Sequence, residues 1–578
     1  MMNAVVPVLA PREQPEVDPR VAAAQSIVEL LCDLGVRTFF GVPGGPIISV
    51  FHRILLEPRA TLVESRHEAY AAFEAMGFHR ATRRVAGVAV TAGPGATNVV
   101  TGVAAAHFER VPMLVLCGEV ASDGRRLAQD LDFDGGGGLE RLFGGMARAV
   151  VRITSAESAV GQVTAAFRAA TDPVRPGPAI VVLPIDRADA RAVPPRIHAF
   201  HSRSRPAAPD PAAVDEVAAR LHRAARPLLV IGGGCREHEP ALDALVRALG
   251  VPFVTTPQAK GLVSELHPLS LRTGGMSASW WARRYCQSNP DVALVLGTDL
   301  DDTSTAGTPP VGPSGEVLHV DQDASVFARN FPTTLSAVSD VGAFARALSR
   351  RAVRHERGGA LARAAKQASP FDEPAFARDG GSPIRPHRVI ADLERAAGPR
   401  ARFVTDIGEH MLFALHYLTA RSADRFSIHL GLGSMGSGIA SAVGLALGDP
   451  SRRVVCICGD GGMQMAGMEL LVALQHRLPL VYAVFNDARY NMVYHGYRLT
   501  HDREAAWSTP QVDFVEWARS LGAPGRRIER PGEITRAMLD ELTAQGPAVL
   551  DIRHDPDVRI RGDGRIEALR QMSFGGRA

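Results

Sequence analysis

The chain runs to 578 residues, which at roughly 150 residues per domain predicts three or four domains and ample length for large cores. Hydrophobic residues make up 46% and charged residues 22%, with 64 Lys and Arg against 61 Asp and Glu; this excludes a disordered or supercharged chain, and a net charge of +3 leaves no electrostatic footprint for nucleic acid. Only Lys260 and Lys366 are lysines, which removes most candidates for a Schiff-base amine, and six scattered cysteines argue for a reducing, cytoplasmic setting rather than a disulfide framework.

Residues 1–19 read as a flexible tail. MMNAVVPVLAPREQ has no positive n-region and carries a proline inside its short apolar stretch, so no signal peptide is expected. No apolar run approaches the roughly 20 residues needed to span a bilayer, and no membrane partner is expected. Beyond the tail, short and nearly continuous apolar runs alternate with alanine-rich stretches of helical period. VAGVAVT (85–91), PMLVLCG (112–118), AIVVLP (179–184), PLLVIGGG (227–234), VALVLG (292–297), RRVVCICGDG (452–461) and PLVYAVFN (479–486) read as strands buried on both faces of parallel sheets. The expected fold class is α/β, with three doubly wound parallel-sheet domains at 20–190, 205–350 and 385–560. Pro-rich linkers at 191–214 and 366–388 divide them.

Taken in chain order, several positions stand out. The stretch 63–81 has helical period and places Glu68 in its first turns, next to His67; alone, such a glutamate reads as a solvated helix residue. Gly232, Gly233 and Gly234 are consecutive and do not form G-x-G-x-x-G, so they read as a structural turn. Cys456 and Cys458 read as plain buried strand residues. The strand containing them ends in Gly459-Asp460-Gly461 before a helical stretch, which puts an aspartate at the carboxyl edge of a sheet beside a helix N-terminus, where phosphate binds well. The next strand ends in Asn486-Asp487. Asp460 and Asp487, 27 residues apart, can then converge on one cation, and two carboxylates with diphosphate oxygens and water suit Mg²⁺. A second Gly562-Asp563-Gly564 has no strand before it and reads as a surface turn.

These residues carry a resemblance. GDGGMQM...FNDARYNMV, with 24 residues between Gly461 and Asn486, resembles the thiamin diphosphate motif of the acetolactate synthase and pyruvate decarboxylase superfamily. The resemblance implies Asp460 and Asp487 as metal ligands, with the main-chain carbonyl of Arg489 as the third, and it sets Gly461, Gly462, Tyr490, Asn491 and Met492 beside the cofactor. YNMV (490–493) looks especially like the FAD-independent catabolic acetolactate synthases. Thr405 to His410 resembles the loop that contacts the diphosphate through Gly408, Glu409 and His410. GLGSMGSG (431–438) resembles the segment that bends the cofactor, with Met435 as the wedge between its two rings and Gly433 offering a carbonyl to the aminopyrimidine N4′. In the N-terminal third, GVPGGP (with Pro43 and Gly44), RHEAYAAF and TAGPGATN (with Pro94 and Asn98) follow the order of the family's pyrimidine-binding domain. Glu68 is then the glutamate that hydrogen-bonds N1′ of the aminopyrimidine, where a carboxyl buried against the ring exchanges the proton that makes N4′ basic. Relatives build this site between subunits, so a homodimer or homotetramer is expected.

On the same resemblance, the reaction expected is decarboxylation of a 2-keto acid, pyruvate, and transfer of the two-carbon acyl-anion unit to a second carbonyl acceptor. His67, Met492, Val493 and His495, with Tyr490 and Tyr494, would line the substrate pocket. The chain departs from the biosynthetic enzymes in three places. Gly135 to Gly138 occupy the stretch where a substrate-contacting glutamine is usual, a position near Gly496 carries no tryptophan, and Asp299 and Thr303 stand where two arginines meet FAD, which makes FAD doubtful. The first two changes leave room for an acceptor larger than pyruvate. Alternatives are a non-coupling 2-keto acid decarboxylase, a specialised carboligase acting on an aldehyde or sugar-like acceptor, a non-catalytic cofactor-binding protein, and a dinucleotide-dependent oxidoreductase.

Overall fold

The computed structural model describes residues 20–122, 127–133, 137–193, 207–367, 376–501, 503–504 and 507–560. The tail before residue 20, Gly135, Gly136 and the second Gly-Asp-Gly at 562–564 lie outside the described residues. Within them are three six-stranded parallel sheets flanked by helices.

The first sheet comprises β1 (Thr38–Gly41), β2 (Thr61–Glu64), β3 (Ala86–Val90), β4 (Met113–Glu119), β5 (Ala149–Arg152) and β6 (Pro178–Pro184), in the order β2-β1-β3-β4-β6-β5. The central sheet comprises β7 (Pro227–Ile231), β8 (Phe253–Thr255), β9 (Ser270–Thr273), β10 (Val292–Leu296), β11 (Glu316–Asp321) and β12 (Leu335–Val338), ordered β9-β8-β7-β10-β11-β12. The third comprises β13 (Arg402–Thr405), β14 (Phe426–Ile428), β15 (Val454–Gly459), β16 (Leu480–Phe485), β17 (Gly525–Ile528) and β18 (Ala548–Ile552), ordered β14-β13-β15-β16-β18-β17. The outer domains thus share one strand order, and the central domain has the doubly wound order common in dinucleotide-binding folds. Strands β3, β4, β6, β7, β10, β16 and β18 are buried along their whole length, which is why their sequences are apolar runs, broken only by the buried acids Glu119 at the end of β4 and Asp551 in β18.

The outer domains are fused by two helices. Helix α1 (Glu68–Thr82) packs on α2 (Pro94–Phe108) in its own domain and crosses a helix of the third domain, Ser437–Gly448. The crossing is made by glycines. A Cβ on Gly77 would lie 2.0 Å from the Ser441 carbonyl oxygen, and one on Gly444 would lie 1.8 Å from that of Glu74. Neither position has room for alanine, so the two backbones touch. Phe73, Met76, Val99 and Val103 from the first domain and Ile439, Val443, Cys456 and Leu470 from the third therefore belong to one continuous core. The central domain keeps cores of its own around Leu229, Leu245, Leu294 and Phe344. It is tied to its neighbours by polar struts: Arg110 and Arg175 hold Asp323, and buried Lys260 donates to Glu265 (2.7 Å) and to the Leu415 carbonyl (2.9 Å).

Candidate active site

Four loops meet at the carboxyl edge of the third sheet. The first follows β13. Asp406, fully buried, accepts the N–H groups of Gly436 and Gly438, both at 2.9 Å, and so anchors the loop that carries Met435. Burial pushes its carboxyl up to about 6. A Cβ on Gly462 would lie 2.3 Å from Asp406 Oδ2, so this aspartate also fixes the glycine after the Gly-Asp-Gly. Asp406 was not among the residues given a role at the site; its signals were its place in the Thr405–His410 loop and a carboxylate at the end of an apolar strand.

Helix α3 (Glu409–Tyr417) starts from the same loop. His410 lies between would-be Cβ atoms of Gly408 (2.5 Å) and Gly459 (3.1 Å), and its Nε2 meets the Asp406 carbonyl at 3.0 Å. Burial lowers its imidazole to about 3, so it is neutral. Glu409 takes a hydrogen bond from Asn491 Nδ2 (2.5 Å). Helix α4 (Ser437–Gly448) follows the loop 431–436, in which Gly433 has φ 69° and nothing within 4 Å of a Cβ position, so its peptide borders open space.

Asp460 is the first residue of α5 (Asp460–Ala466). Its Oδ1 accepts the Gly461 N–H and its Oδ2 the Ala488 N–H, both at 2.8 Å. Ala488 adopts φ 55°, a left-handed backbone unusual for alanine, which turns that N–H toward Asp460. Asp487 is adjacent, and Arg489 N–H donates to its Oδ1 (3.2 Å). Burial raises Asp460 to about 6; burial and then the charge of Asp460 raise Asp487 to about 7. Two adjacent carboxylates, one of them raised further by the charge of the other, offer oxygen ligands of the kind a hard divalent cation takes. No group of three His, Cys, Asp or Glu side chains gathers as a metal cluster among the described residues. The set expected from the sequence, two carboxylates and the Arg489 main-chain carbonyl, would need no third such side chain.

Segments far apart in sequence converge on Gly461. A Cβ there would lie 2.8 Å from the Tyr490 ring and 3.2 Å from Met435 Cε. Tyr490 precedes α6 (Asn491–His501), and its side chain is 39% exposed. On α6, Val493 is exposed, while Met492 packs against the core beneath the third sheet and is only partly available to a ligand. His495 is buried, with Nε2 at 3.1 Å from the Pro556 carbonyl and Nδ1 at 3.8 Å from Glu409; burial lowers it to about 4. The Arg489 guanidinium stacks over the Tyr494 ring, 4.2 Å from its centroid, and donates to the Pro556 carbonyl. His554 was not anticipated. It follows β18, neighbour of β16, and its Nε2 lies 3.8 Å from Asp487 Oδ2. The mostly apolar strand AVLDI just before it was the available signal.

The first domain presents a second edge. Glu68, first residue of α1 and 7% exposed, accepts Asn98 Nδ2 at 3.0 Å. Its Oε1 lies 3.5 Å from a would-be Cβ on Gly95, and Pro94 and Asn98 are both on α2. A Cβ on Gly44 would meet Thr91 at 2.5 Å, which locks the turn after Pro43 against the start of the Gly-Pro-Gly segment. His67 caps α1: its Nδ1 accepts the Ala69 N–H at 3.2 Å. The same helix reaches the third domain through Tyr70, whose hydroxyl donates to the Met465 carbonyl (2.9 Å) and whose ring abuts Gly436.

Comparison with known proteins agrees with this arrangement. Residues 21–135 match the thiamine pyrophosphate enzyme N-terminal TPP binding domain, 214–348 its central domain and 406–552 its C-terminal TPP binding domain. A putative acetolactate synthase large subunit of Mycobacterium tuberculosis is 34% identical over 91% of this chain and 96% of its own length. A probable chloroplastic acetolactate synthase of Oryza sativa is 30% identical over 92% of this chain and 82% of its own. The acetolactate synthase isozyme 3 large subunit of Escherichia coli is 29% identical over 95% and 98%. The matched segments include both edges described above, and the chain belongs to the thiamine pyrophosphate enzyme family.

Proposed function

We propose that this enzyme is an acetolactate synthase-like carboligase that decarboxylates a 2-keto acid, pyruvate, and joins the remaining two-carbon unit to a second carbonyl compound. The observation that carries the reading is the convergence of Met435, Gly461 and Tyr490 beside the paired carboxylates Asp460 and Asp487. Thiamin diphosphate supplies, when bound, the electron sink that makes loss of CO₂ from a 2-keto acid feasible. Asp460, Asp487 and the Arg489 carbonyl would hold Mg²⁺, and through it the diphosphate. Gly408, Glu409 and His410 would border that end, and Met435 would lie against the cofactor's rings. Glu68, backed by Asn98, would hold the proton at N1′ of the aminopyrimidine, with Pro43, Gly44 and Pro94 shaping the surrounding loops. His67, Val493 and His495 are the proposed substrate contacts, with Met492 contributing at its partly exposed side.

An acceptor larger than pyruvate is favoured by one feature: nothing lies within 4 Å of a Cβ position on Gly496, so that side of the pocket is open. Flavin fits the central domain poorly. The N–H groups of Gly232 and Gly234 are spent on the Leu296 and Gly297 carbonyls, so the glycine turn is no diphosphate cradle. Asp299, whose carboxyl is raised by burial and by Asp301, stands where a cation would be needed. A second copy of the chain is the proposed partner. Exposed Phe108, Leu432, Met465 and Met468 flank the seam where the two edges approach, an apolar surface that a homodimer or homotetramer would cover. No helix among the described residues is long and apolar enough to cross a membrane; a cytoplasmic location is proposed on the free cysteines.

The test is product analysis by mass spectrometry with Mg²⁺, thiamin diphosphate and pyruvate, alone and with aldehyde or sugar-like acceptors. A coupled hydroxyketone or hydroxyketo acid is expected. Acetaldehyde with no coupled product under any acceptor would overturn carboligation in favour of simple decarboxylation.

A further inference from the structure

Two carboxyl groups face each other where the first and third domains meet. Glu74 stands on α1, six residues after Glu68, and Glu469 closes the short turn Gly467–Glu469 that follows α5. Both are completely buried, at 0% exposure. Ser65 Oγ donates to Glu74 Oε2 (2.5 Å). Glu469 accepts the Arg66 N–H, at 3.1 Å to Oε1 and 3.4 Å to Oε2, and also the His67 N–H. Residues 65–67 are the approach to α1, and Glu68 is its first residue. The third domain therefore grips, through Glu469, Arg66 and His67, the two residues before Glu68, while Glu74 holds Ser65.

The grip has a proton requirement. Glu74 Oε1 has no hydrogen-bond donor among the described residues, although it is buried. Across the seam from Glu74 is the Glu469 carboxyl. Two buried carboxylates in contact cannot both be ionised, whereas one proton between them gives a short charge-assisted bond and satisfies the orphaned oxygen. Glu469 keeps the charge, because two peptide N–H groups point at it, and Glu74 donates.

We propose that Glu74 and Glu469 share a single proton, and that this carboxyl–carboxylate bond is a positioning clamp that holds Glu68 against the cofactor ring. The inference rests on the reading of Glu68 as the group that acts at the aminopyrimidine. The pair's surroundings agree with it. Burial drives both carboxyls above their ordinary range, and the charge of Glu469 drives Glu74 further. The Arg66 guanidinium, the cation acting on both, is turned away to the Glu64 carbonyl and Gln475, with His476 beside it. Tyr70 on α1 and Tyr482 on β16 face the pair, but their hydroxyls serve the Met465 and Ile439 carbonyls. Since the folded-state affinity for the proton is raised, the clamp is intact in acid and is lost as pH rises through the titration of the pair.

The test uses the holoenzyme with Mg²⁺ and thiamin diphosphate, and reads the rate at which the bound cofactor's C2 hydrogen exchanges with deuterium, by quenched NMR, from roughly pH 6 to 9. Glu74→Gln replaces the shared proton with an amide N–H that does not titrate. The ratio of its exchange rate to that of the wild type should be near unity at the acid end, then rise with pH by up to about tenfold per unit while the wild-type proton is being lost. Glu74→Leu, which removes the bond, should be slower than wild type at acid pH. A Glu74→Gln to wild-type ratio that stays flat with pH overturns the clamp, as does Glu74→Leu exchanging at the wild-type rate; if Glu74→Leu does not fold, the Gln ratio alone decides. Glu68→Gln separates the two claims. If it exchanges as fast as wild type, the reading of Glu68 fails; if it is slow while the Glu74 ratio is flat, only the clamp fails.

Discussion

The first and third domains repeat one strand order, and each places its chemistry at the carboxyl edge, yet the two edges are built on opposite electrostatic plans. In the first, a single carboxylate, Glu68, is held by a neutral amide at the start of a helix. In the third, Asp460 and Asp487 stand side by side; burial raises both carboxyls, and the charge of Asp460 raises Asp487 further. On the proposed function, the first edge would handle a proton at an organic ring and the second would hold a cation. Identical scaffolds thus carry unlike functions because the edge residues, not the sheet, hold the chemistry.

The comparison can be broken at several points. The largest effect is expected at the cation edge: Asp460→Ala should weaken Mg²⁺-dependent binding of thiamin diphosphate by more than about 100-fold, since even outer contacts of metal sites are worth about 10–100-fold. Isothermal titration with and without Mg²⁺ checks this, and Asp487→Asn, which keeps an oxygen donor, should bind far better than Asp460→Ala. Next comes the crossing that joins the domains. Gly444→Ala forces a Cβ onto the Glu74 carbonyl and should cost about 3 kcal/mol, at the upper end for overpacking, read as a lowered thermal midpoint. Asn98→Ala removes the amide that donates to the Glu68 carboxyl and should lower turnover about tenfold to a hundredfold without loss of metal affinity, in a steady-state assay. The smallest effect is at Gly496. Alanine there meets open space, so stability should stay within about 0.5 kcal/mol while selectivity among acceptors of different size shifts.

Much of this was legible in the sequence because local signals and function coincided. Asp460 and Asp487 follow apolar strand runs, and strand period with a normal crossover put the two at one edge, whereas Met435 and Glu68 were singled out by the family resemblance, Glu68 alone reading as a solvated helix residue. What could not be read depends on the partner domain. Glu74 has the sequence context of a solvated helix residue, and only the contact of α1 with the third domain buries it. Gly77 and Gly444 lie inside helices, where glycine ordinarily weakens the element; their role appears when two backbones meet. Asp406 and His554 follow strands whose place beside β15 and β16 comes from sheet order, which no linear pattern states. His67 shows the converse: legible as a neighbour of Glu68, it spends Nδ1 on capping the helix.

The most direct measurement is CO₂ release and coupled product from isotopically labelled pyruvate, followed side by side in the wild type and in Glu68→Gln, each saturated with Mg²⁺ and thiamin diphosphate. The account predicts CO₂ with a carbon–carbon coupled product from the wild type, and both slower by about 10² to 10⁴ in the variant, which still binds cofactor. Undiminished CO₂ release by Glu68→Gln would contradict it.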